Sequence, residues 1–329
     1  MPNYPRISSS NNDWQIAFFT NSIENWISQE LANNFCSEAN LIEAVIRIKR
    51  CFNDPLIETT LDLSGLNLTS IPTAISIMKD LKYLNLKDNF LNEFPRSILS
   101  LSKIENINLS HNEICKIPRE VGNLTELKLF SISNNYIAEL PDNFYQLRNL
   151  KLIDLSSNKI KFISSKISQL SRLEAINLTD NLLSKLPEQF ANLPYLKILL
   201  LNHNNLSKSL SLICKLKLNH LEITNNKIWK LPDDIGNLDS LTALNLSQNN
   251  LKSLPNSIIS LVNLEKLNLS HNKFNSTDNL KLLPHLPLLR KVDLRNNYLE
   301  SPPTQLKKSF IAVKASRNNY NSISTSQLS

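Results

Sequence analysis

From about residue 57 onward the apolar positions repeat one phrase. In "LEAINLTDNLL", Leu173, Ile176, Leu178 and Leu183 surround Asn181, and the phrase returns 23 residues later as "LKILLLNHNNL" and 23 residues earlier as "LKLIDLSSNKI". The apolar residues two apart within each copy predict a short strand that turns them to one side and the residues between them to the other. Leu140-Pro141, Leu186-Pro187 and Leu231-Pro232 then start a return segment whose φ is fixed by proline. Before residue 57 the pattern changes. Trp14, Phe18, Phe19, Ile23, Trp26, Ile27 and Leu31 recur at helical spacing, and Ser37 is placed to cap a second helix carrying Leu41, Ala44, Val45, Ile48 and Cys51.

Written as L-x-x-L-x-L-x-x-N-x-L, the phrase sets its asparagine at Asn89, Asn112, Asn135, Asn158, Asn181, Asn204, Asn226, Asn249, Asn272 and Asn297. The interval is 23 residues except for 22 at Asn226 and 25 at Asn297. An earlier copy, "TTLDLSGLNLTSIP", has Leu66 at the asparagine position, and a worn last copy is read at Phe310, Val313, Ala315, Asn318 and Tyr320. This spacing is the leucine-rich-repeat signature. One turn of such a coil cannot bury its own apolar side, so copies stack, their strands form a parallel sheet about 4.8 Å apart, and the asparagine amide satisfies backbone groups where the chain leaves the sheet. The predicted fold is an α/β solenoid, a horseshoe with a parallel concave sheet and an N-terminal helical cap over the first strand. The expected organisation is a disordered stretch over 1–12, the cap over 13–56, about eleven repeats over 57–303, and a degenerate last repeat with a polar tail over 304–329.

Composition narrows the function. The chain of 329 residues contains three glycines, Gly65, Gly122 and Gly236, so neither a phosphate loop nor a dinucleotide fingerprint is present. Four cysteines, Cys36, Cys51, Cys115 and Cys214, lack C-x-x-C spacing and read as free thiols in a reducing compartment. The net charge of +7 is scattered singly through the repeats, which argues against nucleic acid as the partner. The first residues hold two prolines and no apolar core of a Sec signal, and no stretch has the apolar length of a membrane span. Sequons such as Asn177-Leu-Thr179 follow from the repeat template itself.

The candidate chemistry is that of a binding surface. Asp88 and Asp180 precede His111 and His203 by one repeat, and with Ser133 they offer the residue types of a hydrolase, but nothing strains a nucleophile there. His203 and His220 fall at opposite ends of adjacent strands, which leaves no metal site, and no cofactor is expected. Outward strand positions are mostly polar, except for Leu129, Leu152 and Ile198 at one place in three repeats and Leu200 two residues beyond Ile198. These form the predicted apolar centre of a partner site. Trp229 stands where other repeats carry Asn92, Ala138, Lys161, Ser184, Ser207 and Lys252, and is a second anchor candidate. Lys266, His271, Lys291 and Arg295, continued by Lys314 and Arg317, are candidate contacts for an anionic partner, interrupted by Asp293.

Trp26, the run "EAVIRIKRC" ending at Cys51, and "LDLSGLNLTSIP" resemble the helical cap and first repeat of bacterial leucine-rich-repeat effectors, which are injected into host cells. One branch of those proteins carries a ubiquitin-ligase domain with a catalytic cysteine. This chain has no cysteine after Cys214, so that activity is not carried over. The resemblance implies a non-enzymatic, monomeric protein that binds a host protein on its concave face after delivery by a dedicated secretion system. The 23-residue period is similar instead to intracellular Ras-group repeats, which implies a resident cytoplasmic scaffold.

Overall fold

The computed structural model describes residues 10–55, 57–307 and 311–320. The chain divides into two compact units, Met1–Ile137 with Pro141–Asn149, and Ala138–Leu140 with Leu150–Ser329. The N-terminal segment 1–9, Phe310 and the tail 321–329 lie outside the described residues.

The first unit opens with two helices, α1 (Ser10–Asn33) and α2 (Glu38–Asn53). Ser37 caps α2 as its position predicts, its hydroxyl accepting from the Asn40 N–H at 3.2 Å. Four parallel strands follow in chain order, β1 (Thr60–Asp62), β2 (Tyr83–Asn85), β3 (Asn106–Asn108) and β4 (Leu129–Ser131). The helices cover the start of this sheet: α2 lies on β1, and α1 on the return segment Thr73–Ile77. Phe19, Ile23 and Trp26 of α1 and Leu41, Ala44, Ile48 and Cys51 of α2 are buried in that contact. The helical reading of α1 is corrected at two positions: Trp14, near the start of the helix, is exposed and stacks on Phe18, and the other lies in the last turns. Leu31 is exposed, and the buried residue of that turn is its neighbour Glu30, whose carboxylate accepts from the Thr69 N–H, the Thr69 hydroxyl and the Ser70 hydroxyl at 2.9, 2.8 and 2.6 Å. A buried carboxylate is tolerated because hydrogen bonds replace its water.

The second unit holds eight parallel strands: β5 (Leu152–Asp154), β6 (Ala175–Asn177), β7 (Ile198–Leu200), β8 (His220–Glu222), β9 (Ala243–Asn245), β10 (Lys266–Asn268), β11 (Lys291–Asp293) and β12 (Ala312–Lys314). The strands pair in register, so equivalent residues of successive repeats form columns across the sheet. Most return segments are five-residue 3-10 turns that follow a proline in extended conformation, such as Pro187 before Glu188–Asn192. The changes in period are absorbed there and not in the strands. The shortened repeat returns through the helical turn α3 (Leu210–Ile213), and the lengthened one through two turns, Thr277–Leu280 and Leu283–His285.

The asparagines form the predicted ladder in both units. The Asn112 Oδ1 accepts from the Leu91 N–H, and its Nδ2 donates to the carbonyls of Leu86, Leu109 and Ser110 at 2.9 to 3.2 Å. Asn318 repeats this in the worn last copy, accepting from the Leu299 N–H and donating to Leu294 and Ala315. Where Leu66 replaces asparagine, the cap serves the backbone instead: the Cys36 thiol and the Asn40 amide both donate to the Leu66 carbonyl.

Candidate functional site

The residue before each ladder asparagine adopts a left-handed conformation, with φ between 51° and 56° at Asp88, His111, Asn134, Ser157, Asp180 and His203. Gly65 takes that place in the first repeat, at φ 68°. Asn, Asp, His and Gly tolerate this region best, so backbone geometry accounts for the Asp and His types seen there. Neighbouring repeats join these side chains into short polar rows. His111 lies 3.7 Å from Asp88 through Nδ1 and 3.3 Å from Asn134 through Nε2, while His203 uses Nδ1 toward both Asp180 and Asn225. The Nε2 of His111 is met by Asn134 and not by Ser133, which is buried, and this removes the hydrolase arrangement. No group of three or more His, Cys, Asp or Glu among the described residues is arranged to hold a metal ion.

The strand faces are a separate surface. A second row of Asn and Asp closes tight turns at the strand ends: Asp154, Asn177, Asn245 and Asn268 each accept through Oδ1 from the N–H two residues on. Leu200 interrupts that row. On β5 and β7, Leu152 and Ile198 are 43% and 41% exposed and share a column with the small Ala175 between them. Leu200, half-buried, projects from the same face as Ile198. Polar pairs bound this apolar patch. Lys151 meets Glu174 at 3.0 Å on one side, and Glu222 is held by Asn202 and His220 at 2.7 and 3.0 Å on the other. Leu129 belongs to the first unit, where it is half-buried opposite Asn106 on β3; Lys128 beside it pairs with Glu105 at 2.7 Å.

Trp229 is 70% exposed and, with Lys230, Ser207, Lys208 and Leu210, lines a shallow hollow of about 230 Å³. The basic residues of the last repeats are exposed as expected, with one correction. Arg295 is not a free cation, because its guanidinium grips both oxygens of the buried Asp293 at 2.6 to 3.1 Å. Burial opposes the charge on Asp293, but the Arg295 side chain and backbone N–H outweigh it and hold the carboxyl below its usual range. The thiols of Cys51 and Cys214 are pushed up to about 11 and about 12, mainly by burial. They are inert as nucleophiles at neutral pH, and Cys115 is the exposed cysteine.

An aromatic pair escapes the sequence reading. Phe35, after α1, meets Phe90 with ring centroids 5.5 Å apart, and both line a groove of about 590 Å³ with Asn33, Thr69 and Glu113. The signal is at the position after the ladder asparagine, where Phe90, Tyr136 and Tyr298 replace the residue that is polar in the other repeats apart from Leu182.

The sequence model of the family described as leucine rich repeat matches residues 59–114, 125–183 and 217–274, and a second leucine rich repeat model matches 263–286. The chain belongs to the leucine-rich repeat family, whose repeats generally mediate protein–protein interaction. Among solved structures it is similar to a leucine-rich-repeat protein of Leptospira interrogans, at 28% identity over 80% of this chain and 79% of that one, TM-score 0.58. An internalin from Listeria monocytogenes matches at 21% identity over 88% and 92% of the two chains, TM-score 0.73. A chain of the Drosophila Toll–Spatzle complex matches at 24% identity, TM-score 0.65, over 78% of this chain but 36% of its own length. The latter two likenesses show the fold alone. No curated protein matches the chain. No helix among the described residues is long and apolar enough to cross a membrane.

Proposed function

We propose that this protein is a non-enzymatic scaffold that binds another protein on the solvent face of its sheet, and that it acts as a bacterial effector on a host protein. The observation that carries the binding reading is the patch of Leu152, Ile198 and Leu200: apolar side chains on a strand face bounded by fixed polar pairs. From β5 to β7 it spans two strand spacings, about 10 Å, the scale of the apolar centre of an interface inside a polar rim. The effector reading is supported by the paired helices over β1 and by the bacterial origin of two of the similar structures. The 23-residue period favours a resident cytoplasmic scaffold instead, and a reporter fusion assayed for transfer into host cells separates the two.

Leu152→Glu with Leu200→Glu is expected to abolish capture of the partner while leaving the melting temperature within a few degrees, because the inward-facing ladder is untouched. Capture from host-cell lysate read by mass spectrometry checks it, and retention of the same partner at wild-type strength moves the site elsewhere. Trp229 is the second anchor in this reading. Trp229→Ala is expected to weaken binding of the captured partner by about 2 kcal/mol with little change in melting temperature, as for a truncated aromatic hot spot. Calorimetric titration measures it, and unchanged affinity assigns the ring no part in binding.

A further inference from the structure

The solvent face of the last three strands differs in charge from the rest of the sheet. In the earlier strands cations sit beside carboxylates, as in Lys128 with Glu105 and Lys151 with Glu174. Across β10 to β12 the cations Lys266, Lys291 and Lys314, with Arg290, Arg295 and Arg317 at the flanking positions, face two carboxylates, Glu265 and Asp293. Asp293 is already held on both oxygens by Arg295, with Lys314 adding to the positive field around it. Among the described residues, Lys266, Lys291, Lys314 and Arg317 form no ion pair. Lys266 and Lys291 stand directly opposite each other in the paired register, and Lys314 is opposite Asp293, diagonal to Lys291. Like charges in facing positions oppose strand pairing. Their strands lie about 5 Å apart, inside the screening length of about 8 Å at physiological salt, so the two stems carry their charges into one positive field.

We infer that this face docks a carboxylate-rich segment of the protein partner, an inference that rests on the sheet face being a protein-binding surface. The charge sits on three separate lysine stems spread over two strand spacings, about 10 Å, which matches a run of acidic side chains better than a single compact phosphate. The bidentate fork that would suit a phosphate at Arg295 is occupied by Asp293. A nucleic-acid strand finds no stacking platform, since the outward strand residues are Lys266, Asn268, Lys291, Asp293, Ala312 and Lys314. Leu152, Ile198 and Leu200 lie on the same sheet, with β8 and β9 between β7 and these strands. A partner that fits both presents an apolar contact and, displaced along the sheet, an acidic one.

The test measures fluorescence anisotropy of a fluorescein-labelled polyglutamate peptide of about ten residues against the full-length protein, a length that reaches across three strands when extended. Binding is expected, falling as salt rises from about 50 to about 200 mM. Lys291→Glu is expected to weaken it about tenfold, and Lys291→Glu with Lys314→Glu further, as reversed charges at a complementary face do. The exposed Lys252→Glu serves as control and is expected to leave affinity unchanged. Lys291→Glu places a carboxylate opposite Lys266, so its melting temperature is expected not to fall, which separates lost binding from lost folding. Unchanged affinity in the double variant overturns the inference. So does tighter binding of an oligothymidylate of equal length, or of phosphatidylserine vesicles, than of the peptide. Absence of peptide binding alongside intact partner capture overturns this inference and leaves the protein-binding reading standing.

Discussion

A protein lacking residues 13–53 is expected to aggregate or to melt without a cooperative transition. Those residues supply Phe19, Ile23, Trp26, Leu41 and Ile48, all buried over β1 and the first return segment. At roughly 1.5–3 kcal/mol for each large buried side chain, the lost burial is on the order of 10 kcal/mol, comparable to the whole stability of a typical domain. The deletion also exposes Leu61 and Leu63 at the sheet edge, an invitation to pair with another chain. Polar groups suffer as well. The Leu66 carbonyl loses the Cys36 and Asn40 donors, and Thr69 and Ser70 lose the Glu30 carboxylate. Thermal melting by circular dichroism with size-exclusion chromatography reads the result, and a truncated protein melting as one sharp transition at the wild-type temperature refutes it.

Asn112→Ala is expected to destabilise the protein by about 2 kcal/mol, since it strands the buried Leu91 N–H, an orphan costing roughly 1–3 kcal/mol, while the carbonyls of Leu86, Leu109 and Ser110 keep donors in Asn89, Asn135 and Asp88. Asn112→Asp is expected to cost more than alanine at neutral pH. It keeps the acceptor for Leu91 but turns a charged oxygen toward the carbonyls of Leu86, Leu109 and Ser110. Urea unfolding monitored by fluorescence gives both values. An aspartate variant more stable than the alanine variant contradicts the hydrogen-bonding role assigned to the amide.

The ladder was legible in the sequence because inward positions admit few residue types: leucine spacing sets the strand, and asparagine, a short side chain that both donates and accepts, marks the bend. The slips at Asn226 and Asn297 were legible as intervals, but their place in the return segments depends on how α3 and the paired turns pack. Glu30 was not legible, since helical spacing alone favours Leu31; what decides is the two hydroxyls and one N–H waiting at Thr69 and Ser70. The pairing of Arg295 with Asp293 was hidden for a related reason. Residues two apart on a strand share a face, yet their opposite charges read as an interruption of a patch until the fork closes. The residue types at Asp88, His111 and Asp180 were visible while their cause was not, because a left-handed φ leaves its trace only in which side chains are tolerated.

The alternation along each strand divides the chain into two inheritances. Inward letters are held in place by buried neighbours above and below, whereas an outward letter such as Ile198 or Lys291 is exposed and meets only its neighbours on the solvent face. Substitution can therefore rewrite the outward column one repeat at a time while the coil persists. Divergence in such a lineage falls first on what is recognised and last on shape, which is how chains at 21% and 28% identity keep TM-scores of 0.73 and 0.58 with this one.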